Sequence, residues 1–160
     1  MREQILTLLE RNSRLTPEEI AVLLGSSPEM VAKEIRKMEE ENIICGYNTL
    51  INWEQADADK VTGLIEVRVS PQRGKGFDHI AERIYNYPEV KSVYLISGGY
   101  DLLVILEGRS LREIASFVHS KLSTMDSVLS TATHFILKKY KDDGIIFDLK
   151  KADQRQSITP

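Results

Sequence analysis

"VKSVYLISGGYDLLVILEG", residues 90–108, holds two apolar runs parted by Ser97, Gly98, Gly99, Tyr100 and Asp101. Both runs have strand length and are rich in β-branched residues, so the stretch reads as a pair of adjacent strands. Upstream, Val61–Ser70 alternates Ile65, Val67 and Val69 with Glu66 and Arg68, and residues 75–87 set Phe77, Ile80, Ala81 and Ile84 on one helical face. Downstream, residues 110–122 read as a second amphipathic helix and residues 128–140 as a fourth strand. The order strand, helix, strand, strand, helix, strand is the split βαβ, ferredoxin-like arrangement, an antiparallel sheet with both helices on one face. Leu102, Val104 and Leu106 point to one side of the sheet and Leu103 and Ile105 to the other. The face without helices is therefore apolar as well, and a partner is expected to cover it.

Residues 2–42 follow a helical period instead. Ile5, Leu8 and Leu9 fall at helical spacing, and "ERNSR" interrupts the run. Thr16, Pro17 and Glu19 then supply a cap, a first-turn proline and a capping box for a second helix ending at Gly25. Ser27 and Pro28 open a third helix with Val31, Ile35 and Met38 as its inner stripe, and Asn42 stops it. Ala21, Gly25 and Val31 stand where a helix-turn-helix needs a small residue at the crossing, a left-handed turn and a branched anchor. The third helix then turns Ser26, Ser27, Glu29, Met30, Lys33, Arg36 and Lys37 outward. In DNA binding, its first turns would face base edges while Arg36 and Lys37 meet phosphates. The same face also suits a solvated surface or a protein-interaction module. Residues 1–60 carry 7 Lys and Arg against 12 Asp and Glu, a balance that opposes phosphate binding.

Composition excludes other classes. The 160 residues, 42% hydrophobic and 28% charged, suit a globular protein of one mid-sized or two small domains. Apolar stretches are too short to span a bilayer, so the sequence reads as cytoplasmic with no membrane partner. The single cysteine, Cys45, and the histidines His79, His119 and His134 form no metal-ligand pattern, and no cofactor is implied. Neither a nucleophile with its base nor a phosphate loop is visible, so no catalytic residues are assigned.

"LTPEEIAVLLGSSPEMVAKEIRKMEEENIICGYNTLIN" (residues 15–52) and "YLISGGYDLLVIL" (residues 94–106) together resemble the Lrp/AsnC family of feast/famine transcription regulators, over residues 1–148. The resemblance implies an α+β chain: an N-terminal winged helix-turn-helix domain and a C-terminal ferredoxin-like (βαββαβ) regulatory domain. The domains would be 1–52, DNA-binding with a hinge strand near Tyr47–Asn52 that pairs with its dimer mate; 53–60, a linker; 61–149, ligand sensing and oligomerisation; and 150–160, a mobile tail. Implied partners are double-stranded DNA, a small effector such as an amino acid, and further copies of the chain, as dimers assembling to an octamer. An Asn at position 42 replaces the family's usual glycine, and the third helix carries fewer basic residues than most members have. A siroheme-decarboxylase-like enzyme of the same layout and an effector-free assembly module are the alternatives.

The resemblance also assigns the central loop. Ser97, Gly98, Gly99, Tyr100 and Asp101 match the family's effector pocket, with Thr133, His134 and Ile136 on a strand of a neighbouring subunit. Two glycines able to adopt unusual backbone angles would expose N–H groups to a carboxylate, and Asp101 would pair with an ammonium group. The competing reading is a tight hairpin or bulge that Asp101 caps.

Overall fold

The computed structural model describes residues 1–56, 58–70 and 76–147. The chain divides into two compact units, Met1–Ile51 and Asn52–Pro160. The tail expected at 150–160 lies outside the described residues.

In the first unit, α1 (Arg2–Arg11), α2 (Pro17–Leu24) and α3 (Pro28–Glu40) enclose one core of Ile5, Leu9, Ile20, Ala21, Val31 and Met38. Helix α2 starts with the reciprocal capping box: Glu19 N–H donates to Thr16 Oγ1 at 3.3 Å and Thr16 N–H to Glu19 Oε2 at 2.9 Å. Gly25 turns left-handed at φ 61°, which closes α2 and lets α3 cross it. Asn42 takes φ 54° after α3, the left-handed stop that its short amide tolerates. The hinge strand expected near Tyr47–Asn52 is absent: residues 45–51 make no backbone hydrogen bond to another segment among the described residues. An isolated extended segment has no ladder to hold it, and a single chain offers no second strand there.

The second unit has a four-stranded antiparallel sheet in the order β2-β3-β1-β4, built from β1 (Val61–Val69), β2 (Val90–Leu95), β3 (Leu102–Gly108) and β4 (Val128–Phe135). Two helices, α4 (Asp78–Tyr85) and α5 (Leu111–Phe117), supply Ile80, Ile84, Ile114 and Phe117 to a core with Ile65, Val67, Leu102, Val104 and Leu106. The single helix expected at residues 110–122 is α5 continued by a π-type turn over Val118–Leu122. Gly63 permits a close approach of β1 and α5, since a Cβ there would lie 2.9 Å from Ile114 Cγ2.

Register fixes what the opposite face carries. Tyr94, Leu103, Glu66 and Ala132 form one cross-strand row, and Ser92, Ile105, Leu64 and His134 the next. Leu64, Leu103 and Ile105 are only half-buried, and Tyr94 is half exposed. Strand β4 also stops short of the expected residue 140. A small hairpin follows, β5 (Lys141–Asp142) with β6 (Ile145–Ile146), turned by Asp143 and Gly144 at φ 43° and 79°, the positive angles such a turn needs.

Candidate functional site

Helix α3 presents the residues expected to read DNA, and they do not all have the same freedom. Glu29, Met30, Lys33, Arg36 and Lys37 are exposed, whereas Ser26 and Ser27 are half-buried. Ser27 Oγ accepts the Met30 N–H at 3.3 Å and so caps the helix. Arg36 Nε donates to the Ala32 carbonyl at 3.4 Å.

The acidic residues that count against phosphate binding are partly neutralised within the unit. Arg2 bonds Glu34 through Nε and Glu41 through Nη1, both at 2.8 Å, and Glu41 also lies 3.9 Å from Lys37. The bond from Arg2 is the largest cause holding the Glu41 carboxyl below its ordinary range, and bonding to Glu41 and Glu34 pushes the Arg2 guanidinium up. Glu39 accepts the Tyr47 hydroxyl at 2.8 Å; desolvation first, and that bond second, raise the tyrosine. One cation thus offsets two carboxylates of the helix-turn-helix unit. Sequence reasoning missed Arg2, whose partners lie 32 and 39 positions away with no local pattern to connect them.

The SGGYD loop leads from β2 to β3, and Asp101 fixes its end. Asp101 N–H donates to the Val67 carbonyl at 3.1 Å, its own carbonyl accepts Ile96 N–H at 2.8 Å, and its Oδ2 accepts Val69 N–H at 2.9 Å. The carboxylate therefore ties the loop to the end of β1, as the hairpin reading requires. Oδ1 has no donor among the described residues. Contrary to the expectation of unusual backbone angles, neither Gly98 nor Gly99 lies in the left-handed region. A Cβ on Gly98 would meet only Ile96 Cγ2 at 3.5 Å, and one on Gly99 nothing within 4 Å. What the glycines provide is open space over an exposed backbone.

Ile136 lies far from the loop of its own chain. Ile136 N–H bonds the Thr62 carbonyl, whereas Asp101 N–H bonds that of Val67, five positions along β1. At ~3.3 Å per residue the two ends are ~17 Å apart. Thr133 and His134 also belong to opposite faces, since Thr133 pairs with the buried Ile65 and His134 with Leu64. Within one chain Thr133 and His134 lie two and three positions along β1 from Val67, and only Ile136 is at the far end. His134 instead places Nε2 3.3 Å from Glu66 Oε1 on the helix-free face, a pairing visible only once the β1–β4 register is known.

A helix-turn-helix unit joined to a split βαβ unit with an exposed glycine loop is the layout of a DNA-binding transcriptional regulator. Residues 1–44 match the winged helix-turn-helix DNA-binding family and residues 62–146 the Lrp/AsnC ligand binding domain. The chain belongs to the Lrp/AsnC family. It is 49% identical over 158 residues to the HTH-type transcriptional regulator YugG of Bacillus subtilis (strain 168), covering 98% of this chain and 95% of that one. It is 30% identical over 135 residues to the proline dehydrogenase transcriptional activator of Rhodobacter capsulatus, covering 84% and 87%. Among solved structures, E. coli AsnC aligns with a TM-score of 0.65 at 25% identity, covering 86% of this chain and 91% of that one. The transcriptional regulator NMB0573 from Neisseria meningitidis, solved with L-Met, aligns with a TM-score of 0.71 at 23% identity, covering 88% and 90%, and shares the fold. The protein is a DNA-binding regulator and not an enzyme. No helix among the described residues is long and apolar enough to cross a membrane.

Proposed function

We propose that this regulator binds specific DNA sequences in the cytoplasm, controls amino-acid or related metabolism, and responds to an amino acid held between dimers. The observation that carries the effector reading is the SGGYD loop, with an exposed backbone at Gly98 and Gly99 beside a carboxylate whose second oxygen has no donor among the described residues. Backbone N–H groups suit the carboxylate of an α-amino acid, and Asp101 Oδ1 suits its ammonium group. Thr133, His134 and Ile136 of a neighbouring subunit complete the pocket in this reading; within its own chain Ile136 lies ~17 Å along β1 from the loop's anchor at Val67. Assembly would begin with a dimer that covers the half-buried Leu64, Leu103 and Ile105, pair the Tyr47–Asn52 segments of two chains, and continue to an octamer. The L-Met bound by the Neisseria regulator lends support to an amino acid as the effector class. DNA contact is assigned to Ser26, Ser27, Glu29, Met30, Lys33, Arg36 and Lys37.

The test is calorimetry of the full chain against the twenty amino acids, with light scattering in parallel. At least one should bind and change either the oligomer size or the DNA affinity. Binding by none, with the oligomer intact, would overturn the effector reading and leave an effector-free assembly module.

A further inference from the structure

The outward side chains of α3 differ in what they already hold. Ser27 caps, Glu34 and Glu41 bond Arg2, and Glu39 accepts Tyr47. Glu29, Met30 and Lys33 are exposed and make no side-chain hydrogen bond or ion pair among the described residues. They occupy the first turns of the helix, the part that enters the major groove in helix-turn-helix proteins. A carboxylate here opposes binding wherever no base donor meets it, because it approaches phosphates in a unit that is already acidic. Its retention of uncommitted charge makes sense where a donor on a base meets it.

We infer that Glu29 is a specificity-determining residue and that it reads the N4 amino group of cytosine. This rests on the reading of α3 as the groove element. Only cytosine N4 and adenine N6 offer amino donors in the major groove. Adenine places the N7 acceptor beside its amino group, and that lone pair repels a carboxylate; cytosine places a C–H there instead. Guanine or thymine at this position leaves the carboxylate facing acceptors or a methyl group, so Glu29 also acts by rejection. Lys33 lies one turn further on, about 6 Å along the axis or roughly two base steps, where guanine O6 and N7 would accept its ammonium group. Met30, between them, suits a thymine methyl.

The test is selection of duplexes from a random pool by the full chain and by E29Q, E29A and K33A, followed by competition binding. Wild type should enrich cytosine at one position and guanine about two positions away. E29Q should move the first position toward adenine, which Gln pairs through N6 and N7, changing the cytosine-to-adenine preference about ten-fold or more. E29A should lose preference there while binding unrelated DNA more tightly, and K33A should relax the guanine position alone. If the carboxylate merely stabilised the helix N-terminus, its removal would lower affinity equally for all sequences, and that outcome overturns the inference. So does an unchanged cytosine position in E29Q. Failure of wild type to enrich any sequence would instead refute α3 as the base reader, and this inference with it.

Discussion

Replacing Asp101 separates its structural role from its proposed ligand role. The Asp101 carboxylate accepts the N–H of Val69, a residue only 4% exposed, at 2.9 Å. Asp101→Ala leaves that N–H without a partner, at a cost of about 1–3 kcal/mol. Asp101→Asn keeps an acceptor oxygen in place and loses the charge, a difference of about 1 kcal/mol between charged and neutral hydrogen bonds. For a unit of this size one kcal/mol moves the melting temperature by about 4–8 °C. Asp101→Asn should therefore melt about 4–8 °C below wild type and Asp101→Ala about twice as far below, followed by far-ultraviolet circular dichroism. Asp101→Asn should nevertheless bind the effector about ten- to a hundred-fold more weakly, because the ammonium group loses its charged partner. Equal melting of Asp101→Ala and wild type would refute the Val69 anchor. Equal effector affinity in wild type and Asp101→Asn would refute the ammonium contact.

Two further outcomes are expected. Arg2→Ala should weaken DNA binding at low salt, because Glu34 and Glu41 regain uncompensated charge; a double variant with Glu41→Gln should recover part of the loss, and no recovery would place Arg2 itself on DNA. The Arg2–Glu41 pair depresses the Glu41 carboxyl, so its stabilisation is present above the ordinary carboxylate range and lost as pH falls through the depressed value. Denaturant curves of wild type and Arg2→Ala should thus converge in acid. Gly63→Ala pushes a methyl to 2.9 Å from the branched, buried Ile114 side chain and should cost about 1–3 kcal/mol in denaturant unfolding, whereas unchanged stability would mean that α5 shifts freely.

Local chemistry made much of the fold legible. Thr16 with Glu19, Ser27 before Pro28, Gly25 and Asn42 each act within a few residues of themselves, and each took its expected place. The alternation of Ile65, Val67 and Val69 named the buried face of β1 because strand geometry has period two. Pairings that depend on tertiary register were not legible. Arg2 reaches Glu41, Asp101 reaches Val69, and Glu66 meets His134, none at a spacing any local rule marks. The absent hinge strand has another cause. Tyr47 and Ile51 have strand chemistry, but their backbone ladder needs a second strand that one chain does not supply.

The central claim, that the outward face of α3 contacts DNA, is tested most directly by the salt dependence of binding. Fluorescence anisotropy of a selected duplex with wild type, Arg36→Ala and Lys37→Ala gives log affinity against log salt concentration for each. Both variants should bind more weakly across sequences, with the slope flattened by about one unit for each phosphate that is no longer neutralised. An unchanged slope in both variants would remove α3 from the interface and contradict the claim.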